Sequence, residues 1–211
     1  MQQTDLGRLP ALLWLPDGDD AAVGSRPVIC FLHGYDEGAP SEIERALTLH
    51  GPCSDGSSAA RCAEFIVIAP QLPTRGDLWF RYADAVLELV ERVQAFHNGD
   101  PDRTYLTGFS FGGNGVFDLA QEGLWAALWP VDPPRVPEQD SGLPIWLSSG
   151  ELSRRRNEDF VERLGLQSFD EDLHSDRVIL DYGLDHVGTA RAAYQDDRIY
   201  RWLLCKQKST I

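Results

Sequence analysis

Positive charge is scarce in this chain. Nineteen Lys and Arg stand against 33 Asp and Glu, for a formal net charge of −14 at pH 7. A nucleic-acid binder needs a basic face for phosphates, so this balance argues against one. It argues equally against adhesion to anionic membranes. The excess of acid reads as a solvated shell that favours solubility. Long apolar runs are missing too, and nothing approaches the ~18 residues of a membrane span. Met1 to Leu6 has no basic region, and the apolar run Leu9 to Leu15 is short and broken by Pro10 and Pro16. No secretory leader is expected from that pattern, and the default location is the cytoplasm.

Cysteine is sparse, with four in all. Cys30 in an apolar run and Cys205 in a late helix read as packing residues. Cys53 and Cys62 flank a Gly/Ser/Ala-rich loop, and free thiols are expected over a disulfide in a reducing compartment. No Cys or His spacing suits zinc, so no metal or other cofactor is expected.

What is present suits one globular domain over residues 1–211. The chain is 43% hydrophobic and 25% charged, without repeats or an interdomain linker, and is long enough to bury a core unaided by staples. Strand and helix patterns alternate. Val28 to Leu32 and Phe65 to Ala69 are continuous apolar runs, as in strands buried on both faces. Ser41 to Leu49 reads as a helix, with Ser41 and Glu44 in capping-box spacing. In Arg81 to His97, residues Val86, Leu89, Val90, Val93 and Phe96 recur on one helical face, and Asn98-Gly99 ends the helix. Strands are expected at Thr104 to Thr107, Leu124 to Trp129, Pro144 to Leu147 and Arg177 to Asp181. Helices are expected at Gly112 to Gln121, Glu158 to Leu164 and Thr189 to Leu204. Val131 to Gly142 reads as an irregular surface loop. Such alternation implies an α/β fold, a mostly parallel sheet covered by helices on both faces, with its chemistry at the carboxyl ends of the strands.

Three segments at such ends carry chemistry. Gly108-Phe109-Ser110-Phe111-Gly112 puts Gly-x-Ser-x-Gly between a strand and a helix. A serine hydroxyl is a weak nucleophile and must stand exposed beside a base. A sharp strand-to-helix turn exposes it, and the flanking glycines remove side chains that would clash. Phe31-Leu32-His33-Gly34-Tyr35 ends the first buried strand. Acyl transfer needs two backbone N–H groups aimed at the developing oxyanion, and Tyr35 and Phe111 are placed to supply them. His33 itself reads as structural, its ring tying loop backbone. Gly183 to Gly188 carries His186 after the last strand and downstream of Ser110, the order this chemistry uses in such folds. An imidazole there can take and return the serine proton. His50, His97 and His174 compete poorly: a loop before Gly51-Pro52, a helix end and an acidic stretch.

Together these segments resemble the α/β-hydrolase superfamily. More narrowly they are similar to the small, lidless esterases related to polyhydroxybutyrate depolymerases, feruloyl esterases and predicted peptidases. The likeness runs from about residue 9 to 205. It includes Glu37-Gly38, His50-Gly51-Pro52, Ile66 to Pro73, Trp79, Asp100 to Gly113, Gly115 to Ala120, His186, and Tyr194 to Leu204. It implies the α/β-hydrolase fold without a large lid and hydrolysis of an ester or related acyl bond through an acyl-serine, with no cofactor. The substrate would be a small-molecule ester or thioester, and the protein a monomer or homodimer. In that family an aspartate usually follows the strand at Pro144 to Leu147. Here the chain reads Ser149-Gly150-Glu151-Leu152-Ser153, and the aspartate position falls on Ser153. Glu151 is the first choice for the carboxylate behind His186, and Asp132 the second. A Ser–His dyad without an acid is the remaining option. Trp79, Phe80 and Trp129 are candidates for an apolar substrate pocket, with core packing as the alternative. Beside a simple esterase stand two other readings: a biosynthetic thioesterase or acyltransferase on the same residues, and a binding protein with a degraded triad.

Overall fold

The computed structural model describes residues 2–4, 6–16, 25–54, 57 and 64–208. Its backbone is one twisted sheet. In chain order the strands are β1 (Gln2–Thr4), β2 (Ala11–Trp14), β3 (Arg26–Leu32), β4 (Ile66–Pro70), β5 (Gly99–Phe109), β6 (Ala127–Val131), β7 (Ile145–Ser149), β8 (Gln167–Ser168) and β9 (Arg177–Asp181). In space the order is β1-β2-β4-β3-β5-β6-β7-β9-β8. The two amino-terminal strands pair antiparallel, and every pairing from β4 to β8 is parallel. The central strands are apolar on both sides because both sides are covered.

The helices are α1 (Ile43–Leu47), α2 (Ala83–Phe96), α3 (Phe111–Asp118), α4 (Glu151–Arg154), α5 (Asn157–Leu164), α6 (His186–Gln195) and α7 (Asp197–Leu204), with a 3₁₀ turn at Trp79–Tyr82 before α2. Alternate residues of each strand feed two cores. On one face Cys30, Leu32 and Leu106 meet Val86, Leu89 and Val93 of α2, Val116 of α3 and Phe160 of α5. On the other, Phe31, Tyr105 and Trp129 meet Leu47 of α1, Ala190 and Tyr194 of α6 and Tyr200 and Trp202 of α7.

The structure departs from the sequence reading at several boundaries. The cap of α1 is Glu42, whose carboxylate accepts from the N–H groups of Glu44 and Arg45 at 3.0 and 2.8 Å. Ser41 is not the cap and instead donates its hydroxyl to the Asp36 carbonyl. The expected last helix is two: α6 ends at Gln195, and Asp196 caps α7 through the Arg198 N–H. β1, β2, β8 and the short α4 were not expected. Cys62 lies outside the described residues, and with it the question of a bond to Cys53. Among the described residues no helix is long and apolar enough to cross a membrane.

Candidate active site

β5 ends at Phe109 and α3 begins at Phe111, so the whole turn is one residue, Ser110. It sits at φ 56°, ψ −116°, a conformation L-residues rarely adopt. Its N–H donates to the Val131 carbonyl at 3.0 Å, which fixes the bend against β6. The bend is too tight for flanking side chains. A Cβ on Gly108 would lie 2.3 Å from the Gly112 carbonyl oxygen, and one on Gly112 would lie 1.9 Å from the Leu32 oxygen. Glycine is therefore required at both positions by close approach of three backbones. Strain of this kind, over-determined by its surroundings, is typical of reactive sites.

His186 opens α6, whose cap is Asp185, bonded through its carboxylate to the Gly188 N–H at 2.6 Å. That cap spends Asp185 away from the imidazole. The His186 ring packs against Phe109, with centroids 4.5 Å apart. The imidazole thus lies beside the residue that precedes Ser110. Among the described residues no hydrogen bond yet joins the two side chains. In unliganded sites such bonds often close only with substrate present.

The carboxylate behind the imidazole is Asp132. His186 Nδ1 donates to Asp132 Oδ2 at 2.5 Å, while Oδ1 accepts from the Gly150 N–H at 2.8 Å. Asp132 is fully buried, follows β6 directly and adopts φ 44°. Its own N–H donates to Ser148 O at 2.7 Å. Both carboxylate oxygens are therefore held, and the ring is fixed with its proton on Nδ1. The first choice, Glu151, does not hold that place. It is exposed at the start of α4, and its N–H is tied to the Leu184 carbonyl at 2.7 Å. The reason is local: Gly150 turns toward Asp132, and the chain enters α4 one residue later. Ser153, at the position where an aspartate was expected, is buried and bonds the Pro133 carbonyl at 2.9 Å. The departure at Ser153 is thus matched by a carboxylate one strand earlier. A carboxylate directly after a buried strand was the available signal for Asp132. It was masked by the Pro- and Asp-rich look of residues 131–142.

The loop after β3 lies against the elbow. A Cβ on Gly34 would sit 3.5 Å from Ser110 Cβ, so the loop that carries Tyr35 lies against the elbow that Phe111 leaves. The rings of Tyr35 and Phe111 meet edge to face at 5.0 Å. His33 holds this loop from beneath. Its Nδ1–H donates to Gly34 O at 2.7 Å, and its Nε2 accepts from the Leu72 N–H at 3.0 Å. Burial drives its pKa down to about 4, so the ring is neutral.

The three aromatic candidates do not form one pocket. Trp79 is buried on the α2 face, where its Nε1–H donates to the His33 carbonyl at 3.1 Å and its ring packs under Gly115. Trp129 is buried on the opposite face among Tyr194 and Tyr200, with Nε1–H bonded to Ser148 Oγ. Large indoles filled the core because both faces of the sheet needed volume. Phe80 is exposed, with Arg81 over its ring at 5.8 Å. Among the described residues no group of three His, Cys, Asp or Glu side chains is placed to hold a metal ion.

No family model matches the sequence, and no curated protein matches it significantly. Solved structures do match. A thermostable esterase superposes over 95% of this chain with a TM-score of 0.72 at 20% identity. The match covers 59% of that protein, so the chain spans about three-fifths of its length. FphF, a fluorophosphonate-binding serine hydrolase of Staphylococcus aureus solved with substrate bound, superposes with a TM-score of 0.65 at 15% identity, over 95% of both chains. These superpositions show a shared fold. The chain has the α/β-hydrolase fold, with no large lid among its described residues.

Proposed function

We propose that the protein is a serine hydrolase that cleaves a carboxylic ester through an acyl-serine intermediate. The observation that carries this reading is the line Asp132–His186–Phe109–Ser110, which sets an oriented imidazole beside a strained, glycine-flanked serine. Asp132 holds the ring so that Nε2 faces the reaction as a base. His186 takes the Ser110 proton as Oγ attacks the acyl carbon. The negative charge that develops on the carbonyl oxygen is met by the N–H groups of Tyr35 and Phe111, at the amino end of α3. The tetrahedral adduct collapses, the C–O bond breaks, and His186 returns the proton to the departing alcohol. Water, deprotonated by the same imidazole, then attacks the acyl-serine and releases the acid.

A fluorophosphonate probe tests this directly, because it phosphonylates only an activated serine. The native protein should label at Ser110, and Ser110→Ala should abolish both labelling and ester hydrolysis. Absence of an adduct on folded protein would reject the reading.

A further inference from the structure

Beside the elbow lies a carboxylate that the reaction does not use. Glu37 is 6% exposed, in the loop that follows β3. A side chain on Gly34 would start 2.9 Å from Glu37 Oε2 and 3.5 Å from Ser110 Cβ. The carboxylate and the serine therefore border the same missing side chain. Oε2 is buried and has no hydrogen-bond partner among the described residues. The ion-pair contact there is His50, whose Nε2 lies 3.7 Å from Oε1. Burial first, then the positive charges of His186 and Arg191, push the His50 pKa down, so that ring is a weak counter-charge. A buried carboxylate without a firm counter-ion needs N–H donors.

The backbone groups of the loop show which donors those are. Every carbonyl from Gly34 to Glu37 is taken. Gly34 O accepts from His33 Nδ1 at 2.7 Å and Tyr35 O from the Gly76 N–H at 3.0 Å. Asp36 O accepts from Ser41 Oγ at 3.1 Å and Glu37 O from Gln71 Nε2 at 2.9 Å. Among the described residues no N–H of Gly34 to Glu37 donates to a backbone carbonyl. Burial is the largest influence on the Glu37 carboxyl and raises its pKa, as does the charge of Asp36, while the N–H groups of Glu37, Gly34 and Asp36 favour its charged form. The Tyr35 N–H is not among them. The loop thus turns the amides on either side of Tyr35 toward Glu37 and leaves the Tyr35 amide over.

We propose that Glu37 is a positioning residue: its ionised carboxylate gathers the neighbouring amides of the loop and so keeps the Tyr35 N–H directed at the oxyanion. This rests on the serine-hydrolase reading above, in which Tyr35 is one of the two donors. Glu37 itself touches no reacting atom. The charged and titratable groups around it are Asp36, itself paired with Arg75, and His50. Protonation would remove the charge that those amides meet. The loop therefore holds its form above the raised pKa of Glu37 and loosens as pH falls through it.

Glu37→Gln keeps the shape and removes the charge. With para-nitrophenyl acetate, kcat per fluorophosphonate-titrated Ser110 should fall roughly tenfold, less than for a donor removed outright, while KM changes by less than about twofold. An alkyl trifluoromethyl ketone bonds its carbonyl carbon to Ser110 Oγ, passes the serine proton to His186 and leaves an alkoxide where the oxyanion forms. Its affinity should fall by the same factor. The acid limb of kcat should change as well. In the wild type it reports Glu37 and His186 together and is steeper than a single titration, and in Glu37→Gln it becomes that of His186 alone. Counting by titrated serine leaves misfolded protein out of the rate. Unchanged kcat per labelled serine, or a lower kcat with ketone affinity intact, overturns the inference and leaves the hydrolase standing. If the variant does not fold, the wild-type limb decides: the steeper form supports the inference and the slope of a single group overturns it. No adduct on the folded wild-type protein removes both readings.

Discussion

At the scale of single residues, the two carboxylates near His186 separate by what each is bonded to. Asp132 is buried and gives one oxygen to the imidazole and one to the Gly150 N–H. Glu151 is exposed to solvent. Asp132→Asn should keep the fold but favour the wrong ring tautomer, and kcat should fall by about 10⁴-fold. Glu151→Gln should change kcat by less than about threefold. A reversed order in steady-state assays would return the acid to Glu151. His33 makes a second case, in stability. Its pKa falls from the ordinary 6.5 to about 4 on burial. Between those values the unfolded chain binds a proton that the native ring refuses, so stability is fully present above pH 6.5 and is lost as pH falls toward 4. The loss amounts to on the order of 3 kcal/mol. Urea melts at pH 7 and pH 4 should show it, and His33→Asn, weaker at pH 7, should have the shallower pH dependence.

At the scale of elements, the elbow exists because three backbones meet where no side chain fits. Gly112→Ala would drive a methyl group to 1.9 Å from the Leu32 oxygen, and backbone on both sides leaves nothing flexible to yield. Destabilisation of about 3 kcal/mol or more is expected, read from the denaturation midpoint. Gly123, with open space around the same added atom but φ 68°, is the comparison site: Gly123→Ala carries backbone strain without overcrowding and should cost less. Elements of this kind were legible in sequence because their causes are local: the glycines around Ser110, the 3.6-residue spacing in α2, the apolar runs of β3 and β4. What was not legible depends on tertiary partners. β2 became a strand because β4 offered it an edge, in a stretch whose prolines spoke against one. The break at Asp196 comes from a side chain that caps α7 while accepting from Tyr182 at 2.8 Å, a partner set by the fold. Asp132 was ambiguous for the same reason. Its role depends on His186, 54 residues away in sequence, and on Gly150 across β7.

At the scale of the whole molecule, the balance of charge governs stability. The surface carries many ion pairs, but they are largely solvated: in Arg8–Glu88 the side chains are 61% and 30% exposed. Pairs of that kind contribute little, about 0–1 kcal/mol each. The uncompensated −14 repels itself across the molecule, and that term acts over distances that salt screens strongly, from about 30 Å at 0.01 M to about 8 Å at 0.15 M. Screening should therefore relieve more repulsion than it removes attraction. The urea midpoint at pH 7 should rise between 10 and 300 mM NaCl, by a few tenths to about 1 kcal/mol in stability. A midpoint that falls with salt would mean that the surface pairs outweigh the net charge. The acidic shell would then be a stabilising network.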